Sequence, residues 1–296
     1  MSDEGDKEGF FPETREKNVL RLRDRVLVER LSAVKKRRLL YCGLSGVNAV
    51  DVLMWKDYLE RAVVVQRSFD DEEEEADFKT SLILKLNAHF NGNVKIVIED
   101  IWEYLSSPSF PTMGIVPDVL NLDFCGGLIY ETRLEYPKQR SAFQNVFSCA
   151  RGASHDFLLL LTLMPRDKGR EAYKSYLKDH MDAIVQSARL SDQDALVKKF
   201  DASFKFHARN NLALFKACIP ILLTEIGRSY NYSVKLEYCR LYTKMIHFAF
   251  SCNFVKSVLG MAPDSGDTIR YINQPLRKLL PDGTEEQSYP PQVALE

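Results

Sequence analysis

The chain of 296 residues has no uncharged apolar run near the roughly 18 residues that a membrane-spanning helix requires, and its first 30 residues lack the apolar core of a signal peptide. A soluble, cytoplasmic protein with no membrane partner is therefore expected. The six cysteines (Cys42, Cys125, Cys149, Cys218, Cys239, Cys252) form no C-x-x-C pair, which argues against a zinc cluster or a disulfide framework and suits reduced, mostly buried thiols. The five histidines (His89, His155, His180, His207, His247) show no metal-ligand spacing, so they read as structural or surface residues and no metal is expected. A nucleophile elbow, a P-loop and a Cys-His pairing are absent too, which leaves hydrolase chemistry without support. A formal net charge of -1 offers no global attraction for nucleic acid, so any basic surface has to be local.

What is present is an alternation of short apolar runs with amphipathic stretches. Strands are predicted over 39–43, 62–66, 94–98, 118–123 and 157–163, with helices over 47–59, 71–90, 102–105 and 138–150 between them. Five such βα units with strands apolar throughout imply a parallel sheet covered on both faces. After Pro165 about 65 residues read as helix, with breaks near Ser191 and Ala208. Two extended runs, 234–242 and 245–254, follow with only Thr243 and Lys244 between them, a connection so short that it requires an antiparallel hairpin.

Residues 1–14 are acidic and aperiodic, which predicts a disordered tail, and 256–296 reads as an irregular tail rich in Pro and Gly. The segment 15–38, which opens on Arg15 and closes on Arg38, carries an apolar helical stripe (Val19, Leu20, Val26, Leu27, Leu31, Val34). It holds ten Lys or Arg against three Asp or Glu. A helix of this charge can track phosphates, making RNA or DNA its candidate partner, although alternating charge more often describes a solvated face.

Five parallel strands, a helical stretch and an antiparallel hairpin resemble the class I S-adenosylmethionine (SAM) dependent methyltransferases, with 39–255 as the domain. The resemblance implies an α/β, doubly wound, mostly parallel seven-stranded sheet of the Rossmann-like kind with a terminal antiparallel hairpin, and SAM as cofactor. On it, the first βα turn, Leu39-Leu-Tyr-Cys-Gly43-Leu-Ser-Gly46, corresponds to the glycine-rich turn that lets the backbone pass close to the cofactor. Gly43 and Gly46 fit that need, with ordinary tight packing as the alternative, and Tyr41 and Cys42 replace the family's acid before the first glycine. Gln66 stands at the end of the second strand, where the family places an acid that takes both ribose hydroxyls; its amide accepts from one. After the third strand, Asp100 corresponds to the acceptor of the adenine amino group, with Ile101 or Trp102 as the stacking surface. A helix cap followed by a core tryptophan would account for the same residues.

The fourth strand ends Asn121-Leu-Asp123-Phe124-Cys-Gly-Gly, which resembles the Leu-Asp-Pro-Phe-Gly type of motif in tRNA guanine N2 methyltransferases, without the proline. The resemblance makes Asp123 the anchor for an exocyclic amine and Phe124 the ring against the base. Two functions follow as expectations: a methyltransferase acting on a nucleic-acid base, or an inactive binding or structural protein on the same fold, favoured by the missing acids at Tyr41 and Gln66. A Rossmann oxidoreductase fits less well, because the first turn lacks a third glycine.

Overall fold

The computed structural model describes residues 14–46, 48–67, 69, 71–108, 110–111, 116–123, 136–165, 170–256, 265–274 and 276–287. Helix α1 (Arg15–Lys35) starts on Thr14, whose hydroxyl accepts from the Lys17 amide, and stops at Lys36 in the left-handed region. Thr14 is therefore a helix cap rather than part of a tail. Strand β1 (Leu39–Gly43) leads into a short α2 (Val50–Trp55) and a 3-10 turn (Lys56–Tyr58). The predicted helix over 47–59 is thus shorter at both ends: Ala49 turns left-handed at its start, and Leu59 already belongs to β2 (Leu59–Gln66). Next come α3 (Glu72–Phe90), capped by the Asp71 carboxylate, β3 (Val94–Ile98), α4 (Ile101–Ser106), β4 (Val119–Asp123), α5 (Tyr136–Gly152) and β5 (Phe157–Leu163). The helical stretch divides into α6 (Arg170–Ser187), α7 (Leu190–His207) and α8 (Asn211–Ser229), with breaks where they were expected. The hairpin is β6 (Tyr232–Tyr242) and β7 (Met245–Phe254).

Among the described residues the sheet has nine strands, ordered β3-β2-β1-β4-β5-β7-β6-β8-β9. The first five are parallel, and β7 inserts antiparallel between β5 and β6. Five parallel strands and an antiparallel hairpin are as expected from the sequence. The other two correct the expectation of an irregular tail over 256–296: α9 (Ser265–Asn273) packs on α8, and β8 (Arg277–Leu279) and β9 (Glu285–Gln287) extend the sheet beyond β6. Their turn rests on Asp282 and Gly283 (φ +85°), with the Asp282 carboxylate accepting from the Thr284 amide at 2.9 Å. Lys216 of α8 donates to the carbonyls of Ile272 (2.9 Å) and Gln274, tying down the end of α9.

Helices cover both faces. Helices α1, α2 and α3 bury Leu27, Val28, Trp55, Leu82 and Leu86 against Tyr41, Val64 and Leu160 on one face. On the other, α4, α5, α6 and α8 bury Leu105, Phe143, Phe147, Leu177 and Leu222 against Val65, Leu122 and Leu161. The all-buried run of β5 follows from this double cover. No helix among the described residues is long and apolar enough to cross a membrane.

Candidate functional site

The strand order reverses between β1 and β4, and the carboxyl ends of these strands open the crevice in which ligands of such sheets lie. Gly43 is set by packing at that point. A Cβ there would stand 2.1 Å from the Asn121 carbonyl oxygen, and the Leu44 amide continues the contact by donating to the same oxygen at 2.9 Å. Its missing side chain thus lets β1 approach β4, so a bulkier residue would disturb the sheet before reaching any ligand. Gly46 differs: its φ is +60° and a Cβ would meet nothing within 4 Å, so this stretch of backbone faces open space.

Behind the turn lies a buried polar network that sequence reasoning missed. Asp51, in the first turn of α2, pairs with Arg21 of α1 and accepts from Asn121 Nδ2 at 2.9 Å; the same nitrogen approaches the Tyr41 hydroxyl at 3.2 Å. Burial raises the Asp51 pKa, opposed by the Arg21 charge and reinforced by Asp123. A carboxylate thus does stand beside Tyr41, supplied by α2 instead of by β1. The signal in the sequence was an acid on the apolar face of a short helix, beside Val52 and Trp55.

Asp123 ends β4 in register with Thr162 of β5, and Thr162 in turn with His247 of β7. The Asp123 carboxylate forms an ion pair with Lys17 in the first turn of α1. Tyr242, buried at the end of β6, hydrogen-bonds Thr162, and burial and the nearby Asp123 charge push its pKa up. Thr162 also meets His247 Nδ1 at 2.9 Å, and His247 Nε2 lies 3.1 Å from Asp24 of α1. Burial opposes a charge on His247, but Asp24 outweighs it and raises the pKa on balance. Phe124, with Cys125, Gly126 and Gly127, lies outside the described residues.

On the other side of β1, Gln66 is half-buried at the end of β2, opposite Ile98. Asp100 is exposed and caps α4, its Oδ1 accepting from the amides of Trp102 (2.9 Å) and Glu103 (3.3 Å). Ile101 is buried in the core, whereas Trp102 is half-buried, edge-on to Phe143 at 5.7 Å. Of the two stacking candidates only Trp102 keeps open surface. Gly46, Gln66, Asp100 and Trp102 follow the carboxyl ends of β1, β2 and β3, the same edge of the sheet at which Asp123 ends β4.

Helix α1 spends most of its charge on the fold. Its Lys17, Arg21, Arg23, Arg25, Arg30 and Lys35, and Arg37 just beyond its end, each meet a carboxylate within the protein. Among the described residues no group of three or more His, Cys, Asp or Glu could hold a metal ion.

No family model and no curated protein matches the sequence. Solved structures similar in arrangement include Pyrococcus horikoshii TYW2 in complex with MeSAdo, at 11% identity over 85% of this chain and 67% of that one, with a TM-score of 0.40. The N-methyltransferase NodS of Bradyrhizobium japonicum WM9, in complex with S-adenosyl-L-homocysteine, matches at 9% identity over 81% and 89%, with a TM-score of 0.39. A Rhodobacter sphaeroides structure assigned to the zinc-dependent alcohol dehydrogenases scores 0.38, at 12% identity over 73% and 85%. The chain spans 40% of a further match, EvdMO1. Likeness at this level carries no weight beside the strand order, which is the chain's own.

Proposed function

We propose that the chain is a SAM-dependent methyltransferase whose acceptor is an exocyclic amine of a nucleic-acid base. The observation that carries this reading is the order β3-β2-β1-β4-β5-β7-β6 with β7 antiparallel. It gathers the Gly46 turn, Gln66, Asp100 and Asp123 at one edge of the sheet. In this reading Gly46 gives the cofactor access to backbone, Gln66 accepts from a ribose hydroxyl, and Asp100 receives the adenine amine while Trp102 covers the ring. Bound SAM would supply an electrophilic methyl group. Asp123 would accept from the acceptor amine and hold its lone pair in line, and Phe124 would pack on the base, a role that rests on the sequence motif alone.

Titration calorimetry with SAM is the direct test, and Gln66→Glu sharpens it. A carboxylate at that position adds a charge-assisted acceptor for the ribose, and a net gain of about 1.4 kcal/mol would lower Kd tenfold. Because exposed Arg67 stands next to it, the variant is measured with and without Arg67→Ala; unchanged affinity in both would move the cofactor away from β2. Asp123→Asn is expected to leave SAM affinity within about twofold while slowing transfer by at least about 10²-fold, since the anchoring charge acts on the acceptor. Equal loss of SAM binding would instead make Asp123 a cofactor residue.

A second reading, a non-catalytic protein on the same fold, is favoured by the Lys17 ion pair that occupies the Asp123 carboxylate. It requires that millimolar SAM or S-adenosylhomocysteine leave the melting temperature unchanged, and a clear upward shift excludes it.

A further inference from the structure

Most cations of α1 meet a carboxylate of their own, but Arg23 shares its partner with two arginines of the sheet. Three arginines converge on one carboxylate at the outer edge of the sheet: Glu285 of β9 pairs with Arg23 of α1, accepts from Arg240 Nε of β6 at 2.7 Å, and lies 3.4 Å from Arg277 of β8. Arg240 and Arg277 are register partners on neighbouring strands. Like charges directly opposite one another weaken a sheet, so this pairing is tolerable only with an anion between them. Glu285 supplies one negative charge for three positive ones. Burial alone would raise its pKa, but the contacts with Arg23 and Arg240 outweigh that and hold it down to about 2, so it is an anion throughout the ordinary pH range. The other nearby carboxylates are engaged: Glu286 pairs with Lys278, and buried Asp24 bonds to His247 and Tyr238. About two positive charges therefore remain; Arg23 and Arg240 each also donate to a backbone carbonyl, of Gly283 at 3.4 Å and Cys239 at 2.8 Å, and the most open fork is that of Arg277, exposed by 55%.

The position of this group gives it a meaning. Asp123, Thr162, His247, Arg240 and Arg277 are successive register partners across β4, β5, β7, β6 and β8. Register partners project from the same face, so the arginines stand on the face that carries Asp123, Arg240 three strand spacings away and Arg277 four, or about 14 and 19 Å. Exposed Lys244, in the β6–β7 turn, adds another cation along the carboxyl edge between them. We infer that Arg23, Arg240 and Arg277 form a docking site for the phosphodiester backbone of a single-stranded nucleic acid, with Glu285 as the internal anion that holds the three forks in place. Guanidinium forks match phosphate oxygens in pairs, and a site this far from Asp123 grips a strand a few nucleotides from the base being presented. The choice of nucleic acid over another polyanion rests on the methyltransferase reading; the anion site itself does not.

The test is fluorescence anisotropy of the full chain with fluorescein-labelled single-stranded RNA and DNA oligonucleotides across a salt series. Wild-type protein is expected to bind at low salt, with affinity falling as salt rises. Arg277→Ala, at an exposed position, should weaken binding several-fold and reduce the slope of log K against log salt by about 0.7, the share of one phosphate contact on a single strand. Glu285→Gln, which frees one charge, should tighten binding several-fold. Because Glu285 also fastens β9, its melting temperature is recorded, and Arg277→Ala stands as the independent arm. No binding by either wild type or Glu285→Gln at low salt, or an Arg277→Ala variant identical to wild type in affinity and slope, overturns the site. Polyphosphate that competes as well as an oligonucleotide of equal charge overturns its assignment to nucleic acid. SAM calorimetry on the same samples keeps the two readings apart: SAM binding without oligonucleotide binding fails this inference alone, and the converse fails the methyltransferase reading alone.

Discussion

Asp118→Ala is expected to cost the fold about 3 kcal/mol. Asp118 precedes β4 and is fully buried at the edge of the sheet opposite the candidate site. Its carboxylate accepts from Lys35 Nζ at 2.6 Å, from both terminal nitrogens of Arg37 at 2.8 Å and from the Leu40 amide at 2.8 Å, and lies 3.1 Å from His155 Nε2. It joins the end of α1 to the starts of β1, β4 and β5. Truncating one partner of a buried ion pair costs roughly 3–5 kcal/mol, and the lower end applies because Lys35 and Arg37 can turn toward water. For a domain of this size that is a fall in Tm of roughly 6–12 °C. The sign with pH follows from the pKa: burial alone would raise it, but His155, Lys35 and Arg37 outweigh burial and hold it far below the ordinary 3.8. The stabilisation is complete above that ordinary value and is lost as the pH falls through the lower folded value. Asp118→Asn should therefore be less damaging than Ala and should flatten the acid limb of stability against pH. An Ala variant that melts with wild type would show that the cluster does not pin α1.

Much of the fold was legible because the strands obey a single rule. Residues 39–43, 157–163 and 245–254 are short, mainly apolar runs bounded by polar turns, the appearance of a strand buried on both faces. The β8–β9 hairpin was missed because its strands are three residues long and β9 is the polar run Glu285-Glu286-Gln287, which reads as loop, although Asp282-Gly283 is a strong hairpin signal. The site was half legible. Gly46, Gln66, Asp100 and Asp123 sit at strand ends, where position follows from the alternation itself. Lys17, Arg21, Asp51, Asn121 and Tyr242 come together only when α1 is laid across the sheet, antiparallel to β4, from Lys17 at Asp123 to Lys35 at Asp118. Nothing local in the sequence pairs those elements. The charges of 15–38 were likewise counted without the carboxylates that the fold brings to seven of them.

The two glycines of the first turn should respond in opposite ways, and the contrast separates packing from binding. At Gly43 a methyl group would stand 2.1 Å from a backbone oxygen of β4, a distance that only a shift of one strand against its neighbour can relieve. Gly43→Ala is therefore expected to cost about 3 kcal/mol, at the upper end of overpacking, and to lower Tm by roughly 6–12 °C with or without cofactor. Gly46→Ala meets no atom and incurs only the backbone term for a side chain at φ +60°, about 1 kcal/mol, so the protein should remain folded at 25 °C. If the open side of Gly46 faces the cofactor, the added methyl should weaken SAM binding at least tenfold in this well-folded variant. Thermal denaturation and SAM calorimetry on the pair decide the matter. A Gly43→Ala protein as stable as wild type would mean that β1 and β4 do not approach as closely as described. A Gly46→Ala protein with wild-type affinity would remove Gly46 from the cofactor cradle and leave Gln66, Asp100 and Trp102 to define it.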